Sequence, residues 1–292
     1  MKENLGKTLY NFRVNKGMKQ KDLISKRISI GQISNIENGL QMPSAERFIL
    51  LLGKLNVDYD EFIFMMGDEK LTARLKMEKN FVEFVRDKNH IGLENLAKQA
   101  SNLFLNHGEL YFQHIKLTSL ALAQLIKRNN NDYEKIKVDL SPIIEYLENI
   151  KEWGFYELTL FSRCLFVFNI EKAISFGNRA LELIEQNYTF YKHEEVGHVT
   201  LINLAVYTLN YESYHHLSLK YSQMGIDFAV VNSDAMKVLQ GKIIYQIACF
   251  KLGNGLYNES KLLTLIKAFK LLGWHKDYEY IDKFINKHRI LP

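Results

Sequence analysis

The stretch SIGQISNIENG, residues 29–39, decides how this chain is read. At helical spacing Ile33 and Ile36 share one side of a short helix, while Ser29, Gln32 and Asn35 lie on the other. Asn38-Gly39 stops the helix, because glycine readily takes the left-handed conformation that follows a C-cap. A face of small amides and hydroxyls packs poorly. It suits the reading of base edges in a DNA groove, where an amide can bond an adenine edge through two hydrogen bonds.

Upstream, Leu5, Leu9 and Phe12 mark the inner face of a first helix ended by Gly17, with Lys2, Lys7, Arg13 and Lys16 outside. Gln20 opens a second helix with Leu23 and Ile24 inward, and a short link leads to Ser29 as N-cap of the third. Downstream, Ser44 caps a fourth helix (Phe48, Leu51, Leu52 and Leu55 inward), and Asp58 or Asp60 starts a fifth carrying Phe62. Five short helices with a tight link between the second and third predict a helix-turn-helix domain over residues 1–66. Residues 1–54 hold ten Lys/Arg against four Asp/Glu, and the other 238 residues hold 28 against 29, so the excess positive charge lies wholly at the N-terminus. A phosphate backbone would be met there.

In such a domain the third helix enters the major groove with its N-terminal part against base edges. Gln32 and Asn35 are therefore assigned to bases, and Ser29 and Ser34 to bases or phosphate. Gln20, at a helix N-terminus, is assigned to the backbone with Lys7, Arg13, Lys16, Lys19 and Lys21. Any one lysine reads almost as well as a solvated charge; the cluster favours DNA. Glu37 is expected to serve structure, bonding Arg13 or nearby backbone.

The whole chain has 292 residues, enough for two domains or one domain plus an array. Apolar residues make up 47%, prolines number only three, and strand-like alternation is scarce, so an all-α protein is predicted. No apolar run approaches a membrane span, and MKENLGKTLY lacks a signal-peptide core, so a cytoplasmic protein without membrane contact is expected. Cys164 and Cys249 sit far apart in apolar stretches and read as buried free thiols.

Residues 67–90 read as a linker, helical over 69–88, and 91–292 as consecutive short-looped helices near 92–106, 109–129, 132–150, 155–168, 171–187, 193–210, 213–231, 234–252, 257–273 and 275–288. That organisation predicts an α-solenoid. KAISFGNRALELI (172–184), LSLKYSQMGIDFAV (217–230) and SKLLTLIKAFKLL (260–272) superpose with Ala180, Gly225 and Ala268 in register, at intervals of 45 and 43. A small residue flanked by large apolar ones is tetratricopeptide logic, here in a degenerate form with longer helices.

LGKTLYNFRVNKGMKQKDL followed by ISNIENGLQMPSAERFILLLGKLNVDYDEF resembles the Cro/repressor type of helix-turn-helix. The link between the second and third helices is one residue short of typical phage repressors, and Ile24 replaces the usual alanine. That form, together with EWGFYELTLFSRCLFVFN (152–169), resembles the Rgg/GadR/MutR regulators over nearly the whole chain. The resemblance implies a cytoplasmic transcription regulator whose solenoid binds a short signalling peptide, of the pheromone kind used in quorum sensing. Asparagines on the inner helices clamp peptide backbone in that family, which points to Asn203, four residues from Tyr207 on one helix face. Lys242, Tyr245 and Gln246 offer a similar polar edge. Arg163, between Phe161 and Leu165-Phe166, needs an acidic partner, either a peptide carboxylate or an Asp/Glu of the chain itself.

No catalytic constellation emerges, and neither a metal nor a cofactor is expected. His193 and His198 in HEEVGH are five apart and turn to different faces, which excludes the zinc-protease arrangement; no P-loop, GxGxxG or Gly-x-Ser-x-Gly occurs. A single helix-turn-helix reads few base pairs, so a homodimer on an inverted-repeat operator is expected. Leu262, Leu265, Phe269, Leu272, Trp274 and Tyr278 mark the last helices as its interface, or as a cap folded on itself. A repressor sensing a small molecule or protein partner through the same solenoid is the alternative. A toxin or enzyme with an autoregulatory helix-turn-helix lacks its chemistry, and a scaffold that has lost DNA binding is opposed by Gln32, Asn35 and the basic first helix.

Overall fold

The computed structural model describes residues 2–67, 69–128, 136–186 and 191–287. It divides into two compact units, Met1–Gly92 and Leu93–Pro292. Both are helical, and among the described residues the only β pairing is an isolated bridge between Ser25 and Ile28.

The first unit holds α1 (Lys2–Asn15), α2 (Ile30–Glu37), α3 (Ala45–Leu55), α4 (Tyr59–Met66) and α5 (Glu69–Arg86). Its core is built by Leu5, Leu9, Leu23, Ile33, Leu55 and Phe62 with their neighbours. Phe48 meets Phe62 edge-on at 5.1 Å, an arrangement aromatic quadrupoles favour. α1 crosses α2 so closely that a Cβ on Gly6 would lie 2.2 Å from the Ile36 carbonyl oxygen. Only glycine fits that crossing.

The expected second α-helix is a single 3-10 turn, Gln20–Leu23, and Ile24 behind it is 40% exposed rather than inward. The Ser25–Ile28 bridge explains both: the link turns back on itself through reciprocal backbone bonds, so only Leu23 and Ile28 point inward.

The second unit holds α6 (His90–His107, whose first residues lie in the first unit), α7 (Leu110–Arg128), α8 (Ser141–Asn149), α9 (Phe155–Cys164), α10 (Ile170–Gln186), α11 (Tyr191–Thr208), α12 (His215–Val231), α13 (Ala235–Leu252), α14 (Glu259–Leu271) and α15 (His275–Lys287). The helix expected over 132–150 starts only at Ser141, with Pro142 in its first turn where a missing N–H costs nothing; residues 132–135 lie outside the described ones. The three superposed segments fall on α10, α12 and α14, alternate helices of the array. Ala180 and Gly225 are buried, and a Cβ on Gly225 would sit 3.0 Å from Ile202 of α11. A Cβ on Gly241 would come 2.7 Å from Ile226, so α11, α12 and α13 pack as closely spaced neighbours. Ala268 is only half-buried.

Two apolar clusters fill the unit. One runs through Trp153, Phe161, Phe168 and Phe176; the other joins Ile243, Ile247, Leu262, Phe269 and Ile285. Leu262 and Phe269, expected to mark either a dimer face or a cap folded on itself, are fully buried because α13 and α15 both pack on α14, as the second reading has it. Leu271 and Leu272 remain exposed. Arg179 fastens α10 to the end of α8: its guanidinium donates to the Leu147 carbonyl at 2.7 Å and to the Ile150 carbonyl, and lies 4.8 Å over Trp153. Cys164 and Cys249 are both buried and free, as expected.

Candidate functional site

α2 presents the amide and hydroxyl face. Ser29 is its N-cap: its Oγ accepts from the Gln32 N–H at 3.3 Å, and its own N–H donates to Gln32 Oε1 at 3.0 Å. This is a capping box closed by glutamine. The cap thus engages the Gln32 carbonyl expected to pair with adenine, and its Nε2 is left as the group for base contact. Asn35 is exposed on the same helix, and Ser34 is half-buried with its Oγ accepting from Asn38 at 3.4 Å. The helix ends as its sequence dictates, with Gly39 at φ 72° and the Asn35 carbonyl accepting from the Leu40 and Gln41 amides.

Arg13 is corrected. It is 8% exposed, and its Nε and Nη2 grip Glu37 at 2.6 and 2.8 Å while Nη1 donates to the Met18 carbonyl at 2.9 Å. Those bonds to Glu37 hold the guanidinium pKa above its ordinary value. A side chain locked in this way is not a phosphate contact. Glu37 plays the structural part foreseen for it, and its Oε2 also accepts from Gln20 Nε2 at 2.8 Å. The buried carboxylate therefore fixes the orientation of Gln20, whose amide keeps one N–H and its carbonyl for a ligand.

Lys7, Lys16, Lys19 and Lys21 are exposed, with Lys16 Nζ donating to the Asn56 carbonyl at 3.3 Å. Sequence reasoning left Lys26, Arg27 and Arg47 unassigned. Lys26 and Arg27 sit in the bridged link just before α2, and Arg47, at the capped start of α3, donates to the Arg27 carbonyl at 3.0 Å. The charge count over residues 1–54 contained this signal, but the link's fold-back that groups them is not visible in a linear pattern.

In the second unit α9, α11 and α13 lie side by side, with α12 covering one side of α11. On α11, Leu201, Ala205 and Thr208 are buried, whereas Val199, Asn203 and Val206 on the opposite side are exposed or half-buried. Asn203 Nδ2 donates to the Ser162 carbonyl at 3.4 Å, so Asn203 stands beside the half-buried Arg163 of α9. Lys242 and Tyr245 are half-buried on α13. These four expected residues are half-buried, on α11 and on the two helices α9 and α13 that contact it.

Two others do not. Tyr207 is completely buried; its hydroxyl donates to the Phe168 carbonyl and accepts from the Tyr211 hydroxyl at 3.1 Å. Gln246 is 2% exposed, and its Oε1 accepts from the Asn258 N–H at 2.8 Å, tying α13 to the start of α14. Tyr207 is a core residue whose hydroxyl is satisfied internally, and Gln246 is buried with its side-chain oxygen engaged, which removes both from a peptide surface. His193 falls on residues whose side chains are not described, and His198 is buried with Nδ1 3.1 Å from the Gly225 carbonyl. Among the described residues no cluster of His, Cys, Asp and Glu has metal-binding geometry, and no helix is long and apolar enough to cross a membrane.

Residues 93–283 match the family described as HTH-type transcriptional regulator Rgg, C-terminal domain, and residues 9–62 match a helix-turn-helix family. Three solved structures share the fold over nearly their full lengths. The Streptococcus dysgalactiae SHP pheromone receptor Rgg2 is 20% identical with a TM-score of 0.69, covering 97% of this chain and 99% of its own. A putative transcriptional regulator from Listeria monocytogenes EGD-e is 18% identical with a TM-score of 0.75, at 99% coverage of both chains. Bacillus thuringiensis PlcR, in complex with the peptide PapR7 and DNA, is 17% identical with a TM-score of 0.69, covering 96% of this chain and 99% of its own.

Proposed function

This chain belongs to the Rgg family of HTH-type transcriptional regulators, and we propose that it is a cytoplasmic, non-enzymatic receptor in which a short peptide controls operator binding. The observation that carries the reading is that Arg163, Asn203, Lys242 and Tyr245 are half-buried polar residues on α9, α11 and α13, with α11 in contact with both of the others. An extended peptide has unpaired backbone groups and a terminal carboxylate; amides, a phenol and two cations match that chemistry, with Val199 and Val206 supplying apolar contact. The pheromone receptor and the peptide complex among the similar folds support the same assignment.

On the DNA side, Asn35 and the Gln32 amide nitrogen read bases, Ser29 and Ser34 border them, and Gln20 with Lys7, Lys16, Lys19 and Lys21 holds phosphate. The protein acts as a homodimer on an inverted repeat with half-sites about 34 Å apart or a multiple of that. The exposed Leu271 and Leu272 at the end of α14 support a dimer contact among the last helices. To regulate, the peptide must bind the DNA-competent and DNA-free states with unequal affinity.

Calorimetric titration with short synthetic apolar peptides, run beside operator-binding curves, tests this. A saturable signal lost in Arg163→Ala and coupled to a change in operator affinity is expected. Tight operator binding indifferent to every peptide would transfer the role to a small molecule or protein partner.

A further inference from the structure

Two residues at the start of α2 are unexplained by the packing of their domain. Ile30 is 50% exposed, although Ile33 and Ile36 of the same helix are each 1% exposed, and it does not join the hydrophobic core. Gly31 follows. A Cβ there would meet nothing within 4 Å, and its φ is not positive, so neither space nor backbone conformation requires glycine. Glycine inside a helix weakens it relative to alanine, and an exposed isoleucine gains nothing in water. Both unfavourable choices fall in the first turn of the one helix whose N-terminal part approaches base edges in a helix-turn-helix.

We propose that Ile30 reads a thymine 5-methyl group in the major groove, and that Gly31 is bare so that the helix backbone can come close enough for that contact. The inference rests on the DNA-reading role of α2 argued above. The thymine methyl is the one apolar feature a base pair shows in the major groove, and an isoleucine side chain has no donor or acceptor with which to read anything else. Of the polar groups assigned to bases, Ser34 lies four residues on and shares the side of Ile30, while exposed Asn35 lies four residues on from Gly31 and shares its side. The missing side chain at Gly31 removes the spacer that would otherwise hold that turn away from the groove floor.

The test uses the full-length protein and a duplex recovered with it from a randomised pool. Each thymidine is replaced in turn by deoxyuridine, which deletes only the 5-methyl group. One replacement per half-site is expected to weaken the parent about fourfold, the factor for one lost buried methyl, and to leave Ile30→Ala unaffected. Gly31→Ala is expected to unfold at a higher temperature than the parent yet bind the same duplex more weakly. A recovered sequence with no deoxyuridine step coupled to Ile30 overturns the methyl contact, and undiminished binding by Gly31→Ala overturns the close approach. Failure to enrich any sequence would overturn the DNA-reading role itself, a result distinct from both.

Discussion

Arg13 and Glu37, twenty-four positions apart in sequence, form a two-pronged buried ion pair with heavy-atom distances of 2.6 and 2.8 Å. The pair joins α1 to the end of α2 and, through Gln20, to the 3-10 turn between them. Removing one partner strands the other charge in the interior, which is strongly destabilising. Arg13→Ala is therefore expected to lower unfolding free energy by about 3–5 kcal/mol, measured by urea denaturation followed in the far ultraviolet. Arg13→Lys recovers only part of this, since a point charge cannot reproduce the fork. A fully stable Arg13→Ala protein with a flattened salt dependence of DNA binding would return Arg13 to the phosphate contacts.

The crossing of α1 and α2 sets a second expectation. A Cβ at Gly6 meets backbone, 2.2 Å from the Ile36 oxygen and 2.8 Å from the Glu37 oxygen, so no side-chain rotation relieves it. Gly6→Ala should cost about 1–3 kcal/mol or more by forcing the helices apart. Gly53, inside α3, has nothing within 4 Å of its Cβ position. Gly53→Ala should instead stabilise by about 0.5–1 kcal/mol through helix propensity. Thermal melts of the two variants moving in the same direction would contradict this geometry.

Tyr207 and Gln246 separate stability from recognition. Gln246→Ala removes the acceptor of the Asn258 N–H, a partly buried bond, at a cost of about 0.5–1.5 kcal/mol, and Tyr207→Phe removes the bond to the Phe168 carbonyl. Both variants are expected to melt earlier while changing peptide affinity less than Arg163→Ala or Asn203→Ala. The reverse ranking in calorimetry would put the two buried residues back on the groove.

What the sequence made legible follows from the range of each interaction. Ser29, Ile33, Ile36, Asn38 and Gly39 act within three or four residues, so spacing alone gave the recognition helix its face and its end. Arg13 was read as a surface cation because its pairing with Glu37 depends on how two helices cross. Tyr207 was misread for a related reason: α11 touches α9, α10, α12 and α13, so nearly every side of it is apolar and periodicity does not pick out the open one. Its hydroxyl partner at Phe168 lies 39 residues upstream, beyond any local pattern. Gln32 marks the opposite limit: its capping box with Ser29 is local, yet it engages the side-chain carbonyl that the expected base contact would also use.

Two buried histidines make the fold acid-sensitive. Burial holds His114 at a pKa of about 4, with the Glu157 carboxylate opposing the shift weakly. His198 is likewise lowered to about 4, by burial and then by Lys237, against the pull of the Gly225 carbonyl and Asp234. His114 is packed against Tyr146 and Tyr156, whose hydroxyl lies 2.8 Å from Nδ1. In the unfolded chain both imidazoles take up a proton near pH 6.5. Between those values the unfolded state binds more protons than the folded one, so stability is full above pH 6.5 and falls as the pH drops towards 4. From pH 7.5 to pH 5 each histidine is expected to remove roughly 2 kcal/mol. Urea titrations at the two pH values check the loss, and His114→Phe with His198→Leu should flatten it. A double variant as acid-sensitive as its parent would assign the effect to other groups.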